Sequence, residues 1–88
     1  MIVAFSTRAW DEYVEFQRDD AKLLDRINLL IRECQRHPFK GTGKPEPLKD
    51  NMRGWWSRRI DREHRLVYRV SGAGDTQTLE IAQCRYHY

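Results

Sequence analysis

The chain has 88 residues, of which 40% are hydrophobic and 33% are charged, with three Trp and a formal net charge of +3 at pH 7. This composition excludes a disordered chain, and no apolar run approaches the ~18 residues of a membrane-spanning helix. We therefore expect a single domain over residues 1–88 with one small core and no membrane association. The first residues lack the pattern of a signal peptide, so the expected location is cytoplasmic.

The N-terminal residues predict a strand and then a helix. Residues 1–5 form a short apolar run of strand-forming residues. Residues 7–18 predict the first helix, with Ser6 or Thr7 as its N-cap. The apolar side chains that share one face of this helix are Trp10, Tyr13 and Val14.

A second helix is predicted over residues 21–36, and it ends before Pro38 because proline disfavours a helical residue ahead of it. Apolar side chains recur along it at helical spacing. They are Leu23, Leu24, Ile27, Leu30, Ile31 and Cys34. We expect this stripe to pack in the core against a sheet, with a dimer contact as the alternative.

The second half of the chain predicts a long loop and three strands. Residues 37–54 are rich in Gly and Pro and predict the loop, with a short extended segment near residues 46–49. Strands are predicted at residues 55–60, 65–70 and 78–84, and the last one continues into the four C-terminal residues.

Alternation of side chains assigns the faces of these strands. Trp56 and Ile60 point toward the core beside the aliphatic stem of Arg58. In the middle strand one face carries Leu66, Tyr68 and Val70, and the other carries Arg65, Val67 and Arg69. The order β–α–α–β–β–β predicts an α+β fold, in which an N-terminal strand and a two-helix hairpin pack on a small, mostly antiparallel, twisted β-sheet.

Charge and cysteine usage point to partners rather than to a metal. Between Arg36 and Arg69 the chain has ten Lys or Arg against four Asp or Glu, which favours a polyanionic partner, with a solvated surface as the alternative. Cys34 and Cys84 lie in apolar patterns without the spacing of a zinc site. We interpret both as core thiols without a disulfide, and we expect no metal and no cofactor.

The sequence offers a candidate residue for each role in metal-independent RNA cleavage. RNA is cleaved when a base deprotonates the ribose 2′-hydroxyl, a cation stabilises the phosphoryl oxygens and an acid protonates the leaving 5′-oxygen. Glu46, on a loop stiffened by two flanking prolines, is a candidate base, Arg65 a candidate cation and His87 a candidate acid. Lys49 and Arg59 are further candidate RNA contacts. For each residue an ordinary surface role is the alternative, since spacing alone does not bring them together.

Four separated segments resemble the YoeB toxins of the RelE/ParE toxin superfamily, in the order and at the spacing of that family. They are residues 38–49 (PFKGTGKPEPLK), 56–60 (WSRRI), 63–68 (EHRLVY) and 84–88 (CRYHY). The resemblance extends over essentially the whole chain and implies a RelE-like fold. The visible departure is a longer turn at residues 71–77.

The resemblance implies a toxin of a type II toxin–antitoxin module. Such a toxin acts as a ribosome-dependent mRNA endonuclease, an mRNA interferase that cuts mRNA in the ribosomal A site and inhibits translation. The resemblance assigns Glu46 as general base, His87 as general acid and Arg65 as phosphate stabiliser. It also implies that Tyr88 helps to orient the substrate.

The resemblance implies partners as well. Lys49 and Arg59 match family positions near the site, where we expect them to bind RNA. The implied protein partners are a YefM-like antitoxin, the ribosome and a second copy of the toxin. Operator DNA is expected to bind only through the antitoxin complex.

Two other functions stay open. A ParE-like toxin inhibits DNA gyrase by binding alone, shares the fold and needs neither an acid nor a base. An RNA- or ribosome-binding module without catalysis is the other alternative.

Overall fold

The computed structural model describes residues 1–86, which form five strands and two helices. The elements are β1 Ile2–Phe5, α1 Thr7–Asp19, α2 Ala21–Arg36, β2 Glu46–Pro47, β3 Trp56–Arg59, β4 Arg65–Ser71 and β5 Thr78–Gln83. Short 3₁₀ turns at Asp50–Met52 and Gly74–Thr76 lie in the loops before β3 and β5. The predicted helices and strands are therefore present, most of them within one or two residues of their expected bounds.

All five strands belong to one sheet, with the spatial order β1-β5-β4-β3-β2. The pairing of β1 with β5 is parallel, and the three other pairings are antiparallel. The parallel pair is joined through the helices and the later strands, as parallel strands require a long crossover. This arrangement confirms the predicted α+β fold with a mostly antiparallel sheet.

Side-chain caps fix the helix hairpin. The Ser6 hydroxyl accepts a hydrogen bond from the backbone N–H of Ala9 at 3.0 Å and begins α1. The Asp20 carboxylate accepts one from the N–H of Leu23 at 3.1 Å and begins α2, while the N–H of Asp20 donates to the carbonyl of Phe16. One residue thus ends the first helix and starts the second. Neither helix of residues 1–86 is long and apolar enough to cross a membrane.

The buried core lies between the helices and one face of the sheet. Its members are Ala9, Phe16, Ile27, Leu30, Ile31, Cys34, Ile60, Leu66, Tyr68, Leu79, Ile81 and Cys84. The apolar stripe of α2 is therefore core, as predicted, and each large aliphatic side chain contributes about 1.5–3 kcal/mol by its burial. On α1 the expected face is wrong in part, because Trp10 and Val14 are exposed while Ala9 and Phe16 are buried.

Both cysteines of the described residues are buried free thiols. Burial raises the pKa of Cys34 to about 11 and that of Cys84 to about 12, because a thiolate is poorly solvated there. The thiols are therefore protonated at neutral pH, and their predicted role as core residues is confirmed.

The last strand ends earlier than the sequence predicts. β5 stops at Gln83, and the backbone N–H of Cys84 then donates to the Glu12 carboxylate of α1 at 2.9 Å. Tyr86 has a φ of 61°, in the left-handed region. The predicted continuation of the strand into the C-terminal residues is wrong for Cys84 to Tyr86, because contacts with α1 and with the β3–β4 turn redirect the backbone.

Candidate active site

Polar side chains line the face of the sheet opposite the core. The pairing register places one row across four strands: Glu46, Ser57, Val67 and Gln83. Arg65 lies two residues before Val67, and Arg59 pairs directly with Arg65, so alternation places both arginines on this same face. The sheet thereby brings together predicted site residues from β2, β3 and β4.

Glu46 and Arg65 form a direct ion pair. Arg65 Nη1 donates to Glu46 Oε1 at 3.1 Å and to the Ser57 hydroxyl at 3.3 Å. The Glu46 side chain is 54% exposed, whereas that of Arg65 is 13% exposed. Both hydrogen bonds use one nitrogen of a guanidinium that has five N–H donors, so Arg65 retains the capacity to bind an anion. The structure brings together the predicted base and the predicted cation.

A cleft of about 680 Å³ adjoins this pair. Glu46 and Lys49 lie in its wall together with Gln83 of β5 and Arg8 of α1. The predicted RNA contact Lys49 is therefore close to the predicted base. Arg8 and Gln83 were missed by the sequence reasoning, because they come from the start and the end of the chain. Strand alternation along β5 is the signal that identifies Gln83 as a residue of the polar face.

Arg59 lies on the other side of Arg65. These two residues line a second cleft of about 480 Å³, together with Arg26 and Arg62. The Arg26 guanidinium donates to the backbone carbonyl of Ile60 at 3.2 Å, which ties α2 to the end of β3. Three further arginines therefore lie beside the Glu46–Arg65 pair, as expected of a surface that binds a polyanion.

Arg58 points to the opposite face and is fully buried. Sequence reasoning placed only its aliphatic stem in the core, but the guanidinium is buried as well. It donates to the Glu33 carboxylate, the Tyr68 hydroxyl and the backbone carbonyls of His37, Lys40 and Thr42. These partners satisfy its charge and its donors, and they attach the loop that follows α2 to the sheet.

Glu33 supplies the counter-charge of Arg58. Its Oε1 accepts from the backbone N–H of Thr42 at 2.6 Å and from Arg58 Nη1 at 3.0 Å. The Thr42 bond above all, with a further contribution from Arg58, lowers the pKa of Glu33 to about 2. Burial raises the pKa of the neighbouring Tyr68 to about 12. At neutral pH the cluster is therefore a charged Arg–Glu pair beside a neutral phenol.

The loop geometry requires glycine beside this cluster. Gly41 has a φ of 116°, and a Cβ at this position would lie 1.9 Å from Glu33 Oε1. Two residues later, the carbonyl of Gly43 accepts from the N–H of Arg59 at 2.7 Å. The chain then reaches Glu46, which pairs with Ser57 in β2 and β3. The buried cluster thus determines the path of the loop that presents Glu46.

The two remaining predicted site residues, His87 and Tyr88, lie outside the described residues, and their roles stay predictions. The segment before them reaches the site, because the backbone N–H of Arg65 donates to the carbonyl of Tyr86 at 3.2 Å. Arg85 instead turns to α1, where its guanidinium pairs with Glu15.

Comparison with known proteins identifies the family. The sequence model for the YoeB-like toxin of bacterial type II toxin–antitoxin systems matches residues 5–88. The chain is 53% identical over 88 residues to Toxin YoeB of Synechocystis sp., covering all of this chain and 98% of the relative. It is 50% identical over 88 residues to Toxin YoeB of Escherichia coli strain K12, with both chains covered completely.

Solved structures agree with this match. A YoeB/ParE toxin from Agrobacterium tumefaciens superposes with a TM-score of 0.97 at 56% identity, with both chains fully covered. A YoeB dimer from Staphylococcus aureus gives a TM-score of 0.86 at 43% identity, covering 100% of this chain and 98% of that one. At 14% identity YafQ from E. coli still gives 0.74, over 97% of this chain and 91% of that one, a likeness of fold alone. The fold is that of a RelE-type toxin. The chain belongs to the YoeB-like toxins of bacterial type II toxin–antitoxin systems.

Proposed function

We propose that this toxin is a ribosome-dependent mRNA endonuclease that cuts mRNA in the ribosomal A site and thereby inhibits translation. The observation that carries the proposal is the contact between Glu46 and Arg65 on the polar face of the sheet, 3.1 Å apart. A carboxylate and a guanidinium are adjacent there, beside a cleft and next to further arginines. An acid–base reaction on a phosphodiester needs such a base next to such a cation.

The reaction proceeds without a metal. The Glu46 carboxylate takes the proton of the ribose 2′-hydroxyl, and the 2′-oxygen attacks the adjacent phosphorus. The bond from phosphorus to the 5′-oxygen breaks, and His87 gives its proton to the leaving 5′-oxygen. The products are an upstream fragment with a 2′,3′-cyclic phosphate and a downstream fragment with a 5′-hydroxyl. Each proton transfer of this kind contributes about 10²–10⁴-fold.

Arg65 stabilises the charge that develops on the phosphoryl oxygens. Its guanidinium exchanges the Glu46 carboxylate for the phosphate, because a planar fork of donors binds either anion. The exchange also frees Glu46 to act as a base. Lys49 and Arg59 hold the RNA on either side of Arg65, and Tyr88 orients the substrate.

Family membership supports the proposed partners. Structures of relatives from Staphylococcus aureus are described as a YoeB dimer and as a heterotetrameric YoeB–YefM toxin–antitoxin complex. We propose that this chain likewise forms a homodimer and is bound by a YefM-like antitoxin, and that operator DNA binds only through that complex. The other partners are the ribosome and its mRNA. The chain acts in the cytoplasm as one toxin domain over residues 1–88.

Mapping of cleavage on a defined message in translating ribosomes tests the proposal. Wild-type protein should cut within the A-site codon and leave a 2′,3′-cyclic phosphate, whereas His87→Gln should fold and cut poorly. An upstream 3′-hydroxyl contradicts the proposed nucleophile, and full cleavage by His87→Gln contradicts the proposed acid. Intact mRNA together with direct inhibition of DNA gyrase would support a ParE-like binder. Ribosome binding without cleavage would support a non-catalytic module.

A further inference from the structure

The end of the described chain is held by a buried histidine that the proposed reaction does not use. His64 is 6% exposed and directly precedes Arg65. Its Nδ1 accepts a hydrogen bond from the backbone N–H of Tyr86 at 2.8 Å, and the two rings lie 5.2 Å apart. The buried imidazole therefore joins two segments that are distant in sequence, the one before β4 and the one after β5.

Contacts with residues other than Tyr86 also hold His64 in place. Its backbone N–H donates to the Asp61 carboxylate at 2.7 Å, and its ring meets the edge of Phe16 with centroids 5.2 Å apart. Its Nε2 lies 3.3 Å from Glu63 Oε1. Since Nδ1 accepts a hydrogen bond, the ring N–H of this tautomer is on Nε2, on the side of Glu63. The imidazole is therefore fixed in both tautomer and orientation.

Tyr86 is bound at both of its backbone polar groups. Its N–H donates to His64, and its carbonyl accepts from the N–H of Arg65 at 3.2 Å. The two partners are neighbours at the start of β4, and Arg65 is also the proposed phosphate-binding residue. This two-point contact sets the position of the C-terminal segment relative to Arg65, and the left-handed φ of 61° at Tyr86 sets its direction.

We propose that His64 is a positioning residue of the active site. By accepting the Tyr86 N–H, its imidazole sets the position of Tyr86, the last described residue, relative to Arg65. His64 itself does not touch the substrate. The inference rests on the proposed function, because the position of this segment affects the rate only if the C-terminal residues take part in cleavage. Misplacement of a catalytic group by about 1 Å costs on the order of 10²-fold in rate.

Two variants separate the hydrogen bond from the packing. His64→Asn retains an acceptor oxygen close to the position of Nδ1, whereas His64→Leu retains the volume without an acceptor. We expect His64→Leu to lower kcat on ribosome-bound mRNA about 100-fold, with KM changed by less than about threefold, and His64→Asn to recover most of the loss. The amide proton of Tyr86 should exchange with solvent faster in His64→Leu than in wild type or His64→Asn.

Phe16→Leu is the matched control, since it loosens the packing against His64 but leaves the acceptor in place. Its kcat should stay close to that of wild type. Wild-type kcat in folded His64→Leu would overturn the inference, and so would a His64→Asn variant as slow as His64→Leu. If wild-type protein does not cleave mRNA, both the proposed function and this inference fail. If wild type and His64→Leu cleave mRNA equally fast, only the inference fails, so the two results are distinguishable.

Discussion

Two arginine–glutamate pairs of similar geometry lie on opposite faces of the sheet. Arg58 and Glu33 are joined at 3.0 Å on the core side, and Arg65 and Glu46 at 3.1 Å on the polar side. The Arg58 side chain is 0% exposed, and its three nitrogens donate to five acceptors. Arg65 donates to two acceptors through a single nitrogen, and its glutamate partner is half exposed.

We infer that burial and the number of partners, rather than the ion pair itself, separate the structural role of Arg58 from the chemical role proposed for Arg65. A buried charge must be fully compensated, because leaving it unpaired costs several kcal/mol. Arg58 is therefore committed to the loop that it binds. A partly exposed pair is worth little to stability, so the proposed exchange of Glu46 for a phosphate at Arg65 costs little.

The two pairs are also connected along the chain. Arg58 binds the carbonyls of the loop between α2 and β2, and that loop presents Glu46 to Arg65. The buried pair thus positions the exposed one. We therefore expect a substitution in the Arg58–Glu33 pair to lower mainly the free energy of unfolding. A substitution in the Arg65–Glu46 pair should instead lower mainly the rate of cleavage.

The largest expected effect is on cleavage by Glu46→Ala. Removing the base should lower the single-turnover rate on ribosome-bound mRNA by about 10²–10⁴-fold. The free energy of unfolding should change by no more than about 0.5 kcal/mol, because the carboxylate is half exposed. Quenched time courses and urea denaturation measure the two quantities. A variant that cuts at the wild-type rate would remove Glu46 from the reaction.

The next effect is on stability, and it compares the arginines directly. Arg58→Met should lower the free energy of unfolding by about 3–5 kcal/mol, because Glu33 and the loop carbonyls lose their donor. Arg65→Met should lower it by less, about 1–2 kcal/mol, because Arg65 loses only two hydrogen bonds and its partner Glu46 is half exposed. Urea denaturation of both variants under one set of conditions makes the measurement. Equal losses would contradict the division into a structural and a chemical pair.

The pH dependence of stability should report Glu33. Its pKa is about 2 in the folded protein against an ordinary value of 4.5, so the unfolded chain binds the proton first as the pH falls. The stability that this group contributes is complete above pH 4.5 and is lost as the pH falls toward 2. Thermal unfolding midpoints should therefore fall less steeply over this window in Glu33→Gln than in wild type. Parallel curves for the two proteins would contradict the assignment.

The smallest effect is expected at a third ion pair, which is exposed. Arg69 donates to the Glu80 carboxylate at 2.8 Å and lies over the Trp55 ring on the polar face. Arg69→Gln should shift the thermal unfolding midpoint by less than about 4 °C, because an exposed pair gains little over solvation. The same variant serves as the surface control for Arg58→Met. A shift as large as that of Arg58→Met would show that side-chain exposure does not decide how much an ion pair contributes to stability.

Short-range features were predictable from the sequence. Helix α2 has the expected bounds, because its caps and its apolar period are properties of neighbouring residues. The faces of β4 were predictable from alternation alone, and Arg65 lies opposite Leu66 and Tyr68 as expected. Candidate site residues followed from residue type and from the resemblance of motifs. Glu46 and Arg65 were named in this way, although nothing local indicates that they meet.

Only the tertiary structure decided which long side chains find which partners. Glu46 and Arg65 are 19 positions apart and meet because β2 pairs with β3 and β3 with β4. The buried end of Arg58 and the early end of β5 at Gln83 likewise depend on groups that are distant in the chain. The physical reason is the distance along the chain over which each effect acts. Periodicity and capping act over about one helical turn, whereas hydrogen-bond partners of a long polar side chain are set by the packing of whole elements.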